Sequence, residues 1–442
     1  MRVTILTIGT TGWVLPFIAL GRGLQARGHS VRIATHEPFA EAIQRHGLAF
    51  SPVAGDPRSI IGSRQGQRLL NGNPLLFGWD LLKVARPLIS RGLDDLWAAS
   101  QGSDVLVHNL LVYPAARNIA HSLGIPGILA SMVPAEPSGF LKPVYAPPFP
   151  WPGSRAERHY NRLAPMVSWE IVQHALRPVL SGWRRQTLGL PRTSLLRPFS
   201  DLPAPAATLF AYSPAVVAAP PDWDPRISVT GYWFLEHPFD WQPPRELLAF
   251  LDDGPPPVYV GFGSMVGGDP RREIGVVLDA LQRTGQRALI VSGYGGLVGT
   301  EFPETTFLTG DIPFDWLFPR MAALVHHGGS GTTALGLRAG LPTVTVPFYG
   351  DQLLWSSRVE ALGIGPRPIR QKDLTAAGLA DAINQAVHDP DMRTRAVDLA
   401  RRISQEDGVG TAVQIIESVA ARHRARGAVE QSADVGALPR QA

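Results

Sequence analysis

The stretch Ala322-Ala323-Leu324-Val325-His326-His327-Gly328-Gly329-Ser330-Gly331-Thr332-Thr333 decides the fold. Its apolar run, Ala322 to Val325, reads as a buried strand, and Thr332 to Ala339 reads as a helix with Leu335, Leu337 and Ala339 among its apolar positions. The turn between them holds glycines, hydroxyl residues and a histidine pair. Glycines let the backbone approach a ligand closely, and free amides at a helix N-terminus point toward an anion. A histidine there can donate a hydrogen bond to a phosphate oxygen. One strand later, Pro347-Phe348-Tyr349-Gly350-Asp351-Gln352 brings a carboxylate and an amide, the groups that hold sugar hydroxyls. A diphosphate joined to a sugar suits both sets.

The same grammar of strand, glycine turn and amphipathic helix runs through both halves of the chain. In the first half, Val3 to Ile8, Val31 to Ala34, Val105 to Val107 and Ile125 to Leu129 read as strands, with helices at Phe17 to Ala26 and Phe39 to Arg45. In the second, Val258 to Val260, Ala288 to Val291, Ala322 to Val325 and Thr343 to Val346 are the strands. Such alternation implies α/β domains, each a parallel sheet with helices on both faces. Proline-rich Pro203-Ala204-Pro205 and Ala219-Pro220-Pro221-Asp222-Trp223 form a stiff connection, which puts a domain boundary near residue 220. The proline-rich stretch from Pro134 to Pro152 is not a regular helix. Residues from about 428 turn small and polar, so 426–442 are expected to be a disordered tail.

A chain of 442 residues is too long for one ordinary core and fits two domains. No run of roughly 18 apolar residues is present to span a bilayer. Met1-Arg2-Val3-Thr4-Ile5-Leu6 enters a strand directly, which argues against a signal peptide. Cysteine is absent, excluding disulfides, thiolate metal sites and a cysteine nucleophile. Together these features point to the cytoplasm. The net charge is only +4, and basic residues are scattered apart from Arg422-His423-Arg424-Ala425-Arg426, which reads as a solvated helix end rather than a nucleic-acid contact.

In this order along the chain, Gly9-Thr10-Thr11-Gly12-Trp13-Val14-Leu15-Pro16, Thr230-Gly231-Tyr232-Trp233-Phe234, Val260-Gly261-Phe262-Gly263-Ser264-Met265, Ser292-Gly293-Tyr294-Gly295-Gly296, Asp315-Trp316-Leu317-Phe318-Pro319 and the histidine–glycine loop with Asp351-Gln352 resemble one family. It is the family 1 nucleotide-sugar glycosyltransferases of the GT-B fold, in the bacterial natural-product and sterol-glucosyltransferase-like branch. The resemblance covers about residues 1 to 420. It implies two doubly wound Rossmann-like domains facing across a cleft: an acceptor-binding domain at 1–220 and a nucleotide-sugar-binding domain at 221–425. Phe140, Tyr145, Phe149 and Trp151 would line an apolar acceptor wall or pack on their own domain.

Glycosyl transfer must stabilise a diphosphate leaving group while positive charge develops at the anomeric carbon. Gly263 and Ser264, after the strand Val258 to Val260, can bring an amide and a hydroxyl to a phosphate. By resemblance, His327 contacts the pyrophosphate, Gly329 and Gly331 permit close approach, and Ser330 and Thr332 add donors. His326 packs or braces the loop. By the same likeness, Asp351 and Gln352 bind hydroxyls of the transferred sugar, and backbone around Ile312 holds the base. Plant-type members carry a ribose-binding glutamate where this chain has Leu335, so UDP and dTDP both stay open. The nucleotide sugar is a co-substrate, and no cofactor is expected. Asp222-Trp223-Asp224 and Asp389-Pro390-Asp391 match an Asp-x-Asp metal pattern, but neither follows a strand of the donor domain at the cleft, so no metal site is expected.

In this family the segment Gly-x-x-Gly-[Asp or His]-Val-x-Pro supplies the general base that deprotonates the acceptor. Here Trp13 stands at that position, and indole cannot take the proton. Either another residue acts, or the acceptor needs little help, or turnover is impaired. Functional groups gather at the C-terminal ends of parallel strands. That singles out His108 first, then His36 and Glu136. His108 leads because Asn109 falls roughly where plant-type members keep the aspartate that orients their histidine. A histidine with an ordinary pKa near ~6.5 suits the task.

The leading expectation is an inverting glycosyltransferase moving a hexose or deoxyhexose onto an apolar acceptor such as a polyketide, macrolide, phenol or sterol. The alternatives are a nucleotide-sugar epimerase or hydrolase of the same fold, and a glycosyltransferase-like auxiliary protein without turnover, which Trp13 alone supports. A dinucleotide oxidoreductase is disfavoured, because neither glycine turn reads G-x-G-x-x-G with an acidic residue about 20 positions on.

Overall fold

The computed structural model describes every residue except 56–88, 145–148, 193–201, 238–240, 263–269, 292–301, 311, 349 and 437–442. Short β-rich apolar runs separated by helices form two all-parallel sheets. The first contains β1 (Arg2–Leu6), β2 (Ser30–Thr35), β3 (Ala49–Pro52), β4 (Val105–His108), β5 (Gly127–Ser131), β6 (Ala207–Phe210) and β7 (Ile227–Val229), in the order β3-β2-β1-β4-β5-β6-β7. The second contains β8 (Val258–Gly261), β9 (Ala288–Val291), β10 (Thr306–Thr309), β11 (Ala323–His326) and β12 (Thr343–Thr345), in the order β10-β9-β8-β11-β12. β4, β6, β8 and β11 are buried along their whole length and β5 along all but its first residue, as strands covered by helices on both faces must be.

The helices that matter for the site are α1 (Thr11–Ala26), α2 (Tyr113–Leu123), α3 (Arg155–Gln186), α4 (Pro270–Thr284), α5 (Ser330–Arg338), α6 (Asp351–Ala361), α7 (Ala376–His388), α8 (Pro390–Ser404) and α9 (Gly408–Gly436). The order of strands reverses between β1 and β4 in one sheet and between β8 and β11 in the other. Ligands bind outside the carboxyl ends of strands at such switch points. The loops leaving β1, β4, β8 and β11 are Gly9–Gly12, His108–Asn109, the segment from Phe262, and His327–Gly329. Topology therefore puts both glycine turns singled out in the sequence at the two switch points.

Element boundaries moved by a few residues. The helix expected from Phe17 begins at Thr11 and keeps Pro16 within it, so the Gly9–Gly12 turn feeds straight into a helix N-terminus. The helix expected from Thr332 begins at Ser330. The boundary near 220 falls too early: β7, at residues 227–229, still belongs to the first sheet, and the chain leaves that domain at Thr230–Leu235. The chain also returns. Helix α9 lays Ala412, Val413, Ile416, Val419 and Ala420 into the core of the first domain. It packs so close to α1 that a Cβ at Gly23 would come within 2.3 Å of Val409. The stretch expected to lose regular structure instead continues α9 to Gly436.

The two crossings are clasped together. Trp233 Nε1 donates to Thr230 Oγ1 at 3.0 Å and to the Gly408 carbonyl at 3.1 Å. Ser213 Oγ donates to the Glu406 carboxylate at 2.5 Å. A Cβ at Gly408 would sit 2.4 Å from the Tyr232 carbonyl, so only glycine allows the two strands of chain to cross there. Beyond the crossings, a buried apolar cluster joins the domains, with Phe210, Tyr212 and Val216 from the first meeting Ala334, Leu337 and Trp355 from the second. No described helix is long and apolar enough to cross a membrane.

Candidate functional site

The second-domain half of the site is built on β11. Its last residue, His326, is buried, and its Nδ1 accepts the Gly328 N–H at 2.9 Å. Burial, with His327 beside it, pushes its pKa well below 6.5, so the ring is neutral and braces the loop. Gly328 has φ +81°, and a Cβ there would meet Ser356 Oγ at 2.5 Å and the Gln352 carbonyl at 3.0 Å. The loop therefore lies flush against α6 because it carries glycine at this point. His327 is partly exposed, and burial lowers its pKa to about 4, opposed by the Gly261 backbone. Its Nδ1 has no partner within the protein. Gly329 caps α5 without a side-chain hydrogen bond, and no acidic residue occupies the first turn. The terminus carries no acidic residue of its own, and its partial positive charge faces the neutral imidazole of His327 and the Asp351 carboxyl.

Asp351 opens α6 after the left-handed Gly350, φ +66°. Burial raises its pKa, while its own amide, the Trp355 indole and the Ser330 amide pull it down. The carboxyl at the start of α6 thereby lies beside the start of α5, a relationship invisible in the sequence. Gln352 is buried, and its Oε1 accepts the Phe348 N–H at 2.8 Å. That bond holds the loop before α6. Ser330, Gly331 and Thr332 are all partly exposed along the first turn of α5. Ile312 is buried in an apolar cluster with Tyr259, Leu317 and Phe318. Leu335 packs against the same cluster. Gly263, Ser264 and the Ser292–Gly296 segment lie outside the described residues.

The first-domain half approaches from β1. Gly9 has φ +127°, and Trp13 N–H donates to the Thr10 carbonyl at 2.8 Å as α1 begins. A Cβ at Gly331 would lie 3.5 Å from the Gly12 Cα, so the N-terminal turns of α1 and α5 meet across the cleft. Trp13 is half-buried and packs against both the first-domain core and the cluster that joins the domains. Asn109 is fully buried. Its Nδ2 donates to Thr7 Oγ1 (3.0 Å) and to the Ile8 carbonyl (2.7 Å), and its Oδ1 accepts the Leu111 and Val112 amides (3.1 and 3.2 Å). Sequence reading placed Asn109 beside a base; its structural work with Thr7 was missed, though Thr7 at the end of β1 directly before the glycine turn was the available signal.

The three candidate bases do not reach the cleft as expected. His108 is fully buried; its Nδ1 donates to the Asn109 carbonyl at 3.2 Å, and its Nε2 points toward β5, about 4.0 Å from where a Cβ of Gly127 would be. Burial lowers its pKa to about 4. A ring sealed between sheet and helix meets no acceptor, which corrects the expectation for His108. His36 is buried with Nδ1 at 3.2 Å from the Val53 carbonyl. Glu136 turns back from the strand end to Thr208 at 3.4 Å, beside Asp224 and Arg226, and burial raises its pKa. Three of the four carboxylates in the two Asp-x-Asp patterns have other tasks. Asp222 accepts from Ser138, Gly139 and Arg162, Asp224 pairs with Arg226 at 2.8 Å, and Asp389 caps α8 by accepting from Met392. Phe149 packs on Trp151 and Tyr160 of its own domain, whereas Phe140 is exposed; Tyr145 is outside the described residues.

Known proteins agree with this layout. The glycosyltransferase family 28 N-terminal domain matches residues 3–136, and the erythromycin biosynthesis protein CIII-like C-terminal domain matches residues 290–417. The sterol 3-beta-glucosyltransferase UGT80B1 of Arabidopsis thaliana is 35% identical over 427 residues, covering 93% of this chain and 67% of that protein. A sterol 3-beta-glucosyltransferase of Aspergillus clavatus is 37% identical over 432 residues, covering 94% of this chain but only 29% of its own length. The chain thus spans under a third of that fungal relative. Two solved structures share the fold: the glycotransferase of kitacinnamycin (TM-score 0.66, 22% identical, covering 95% of this chain and 98% of the other) and the calicheamicin glycosyltransferase CalG4 (TM-score 0.65, 18% identical, the same coverages). With two parallel α/β domains, both glycine turns at switch points and a relative matched along nearly the whole chain, this protein belongs to the nucleotide-sugar glycosyltransferases of the GT-B fold, in the natural-product and sterol-glucosyltransferase-like branch.

Proposed function

We propose that the chain transfers a hexose or deoxyhexose from a UDP- or dTDP-sugar to an apolar acceptor, with a sterol-like alcohol the first candidate, and with inversion at the anomeric carbon. The observation that carries this reading is the meeting of the α1 and α5 N-termini at Gly12 and Gly331, with neutral His327 and the Asp351 carboxylate on the same rim. The acceptor oxygen attacks the anomeric carbon from the first-domain side. The bond from that carbon to the diphosphate breaks, and the leaving charge falls on the α5 amides and the His327 N–H. In this reading no metal is needed, since the helix terminus and His327 take the charge. The identity of the plant relative, a sterol 3-beta-glucosyltransferase, supports an apolar alcohol as acceptor.

Trp13 leaves the acceptor proton without an assigned base among the described residues. A second reading, a donor-binding protein without turnover, rests on that observation alone. Thermal melting with UDP, dTDP and their sugars, followed by a transfer assay on sterols, phenols and alkyl alcohols, tests both, because a ligand that binds the native state raises its melting point. Stabilisation by neither nucleotide would remove the donor-site reading. Stabilisation with no transfer to any acceptor would favour the second. His327→Ala is expected to weaken nucleotide binding and turnover together, by roughly 10–100-fold for one lost hydrogen bond to a charged oxygen.

A further inference from the structure

Helix α6 opens with Asp351, and one turn further on stands Trp355. Residues four apart share a face of a helix, so the indole lies beside the turn that carries the carboxyl. Trp355 is 1% exposed and is the largest fully buried side chain among the described residues. Its Nε1–H is sealed from solvent and makes no hydrogen bond of full geometry. A buried indole N–H ordinarily finds an acceptor. The group in position to accept is Asp351. Burial raises the pKa of that carboxyl, and its own amide, the Trp355 indole and the Ser330 amide lower it.

The first domain holds this indole. Tyr212, just after β6, meets Trp355 edge to face with ring centroids 5.8 Å apart. Tyr212 is itself fully buried and stacks on Phe210, which lies against Trp223 (centroids 5.6 and 4.9 Å). One turn beyond Trp355, Arg358 Nε donates to the Val216 carbonyl at 2.9 Å, a second tie from α6 to the first domain. Charged and titratable groups on the neighbouring elements are turned elsewhere or neutral. Arg338 at the far end of α5 pairs with Glu236 at 2.6 Å, Glu360 is exposed, and His326 and His327 are neutral. We propose that Trp355 is a positioning residue of the donor site: its indole N–H, set by Tyr212, holds the Asp351 carboxyl in place to grip the transferred sugar. The sugar site is then complete only when the two domains are packed together. The proposal rests on the reading of Asp351 as the sugar carboxylate. Without the N–H, burial has less opposing it and the carboxyl keeps its proton to a higher pH. A protonated carboxyl loses acceptor capacity toward sugar hydroxyls.

Trp355→Phe keeps a ring against Tyr212 and removes the N–H. Benzothienylalanine at position 355, with sulfur in place of the N–H, keeps the shape as well and serves if the phenylalanine variant folds poorly. The full chain is labelled with carbon-13 at its aspartate carboxyls, and the Asp351 signal is assigned by its loss in Asp351→Asn. In both Trp355 variants the Asp351 titration midpoint is expected to move to higher pH. That measurement needs no turnover, so its failure leaves the transferase reading intact. Transfer should fall by roughly tenfold, the scale of one hydrogen bond to a charged group. Affinity for free UDP or dTDP should be kept, and the acid limb of transfer should move with the titration. Added to Asp351→Asn, Trp355→Phe should cost nothing further, because the two side chains act as one unit. Tyr212→Leu, which removes the edge contact, should move the midpoint in the same direction; an unmoved midpoint there removes the first domain from the proposal. An Asp351 midpoint unchanged in both Trp355 variants overturns it outright. So does a loss of transfer as large in the Asp351→Asn background as in the parent, because the indole then serves packing alone.

Discussion

Asn109 donates to Thr7 Oγ1 at 3.0 Å, and Thr7 Oγ1 donates in turn to the Trp13 carbonyl at 3.0 Å. A buried amide just after β4 thus positions the backbone of the residue at the usual base position, far away in the chain. The residue does not orient a catalytic ring here; it sets the mouth of the cleft.

Asn109→Ala would leave the Leu111 and Val112 amides and part of Thr7 without partners in a buried place. A stability loss of about 2–4 kcal/mol is expected, at the upper end of what unmet buried hydrogen bonds cost. Urea unfolding measures it. If the loss were below the scatter of the method, the brace would be incidental.

Acid sensitivity should come from the histidines. His108 and His327 are held neutral in the fold with pKa values of about 4, against an ordinary 6.5 in the unfolded chain. The unfolded state therefore binds more protons between these limits. The contribution is full above pH 6.5 and is lost as pH falls toward 4, by up to about 3 kcal/mol per ring. His326 adds to it in the same direction. Unfolding midpoints between pH 7 and pH 4 should fall, and His108→Gln should flatten that fall. An unchanged slope would show that His108 protonates freely in the native state.

Asp351→Asn keeps shape and removes charge. Affinity for free nucleoside diphosphate should change little, whereas transfer should drop, because the proposed partner of this carboxylate is the sugar. Calorimetry with the nucleotide beside a turnover assay separates the two. Lost nucleotide affinity with intact folding would mean that the link from Asp351 to the Ser330 amide serves the phosphate site instead.

Trp13 is the place to look for the missing base. If no residue replaces that base, the parent should transfer faster to phenols than to alkyl alcohols, sterols included, since general-base help is worth roughly 10²–10⁴-fold and an acidic acceptor loses less without it. Trp13→His should narrow that gap by raising transfer to alcohols. Equal rates for phenols and alcohols in the parent would place a working base elsewhere in the cleft.

Local pattern was enough for the parts of this protein that local forces control. Apolar runs of four or five residues, bounded by glycine and alternating with amphipathic helices, specify parallel sheets, because such strands are stable only when helices bury both faces. The histidine–glycine loop was legible for the same reason: Gly328 and Gly350 have left-handed backbones that residue type alone announces. Trp13 as a non-base was legible from indole chemistry. Tertiary structure decided the rest. Which way a polar group at a strand end turns depends on what packs over it, and so His108 disappeared under a helix while Glu136 folded back to Thr208. β7 and α9 joined the first domain because pairing with β6 and burial against α1 act between residues far apart in the chain. The Gln352 side-chain oxygen accepts the Phe348 N–H, a partnership four residues long that residue type alone does not announce, since a buried turn amide must find an acceptor.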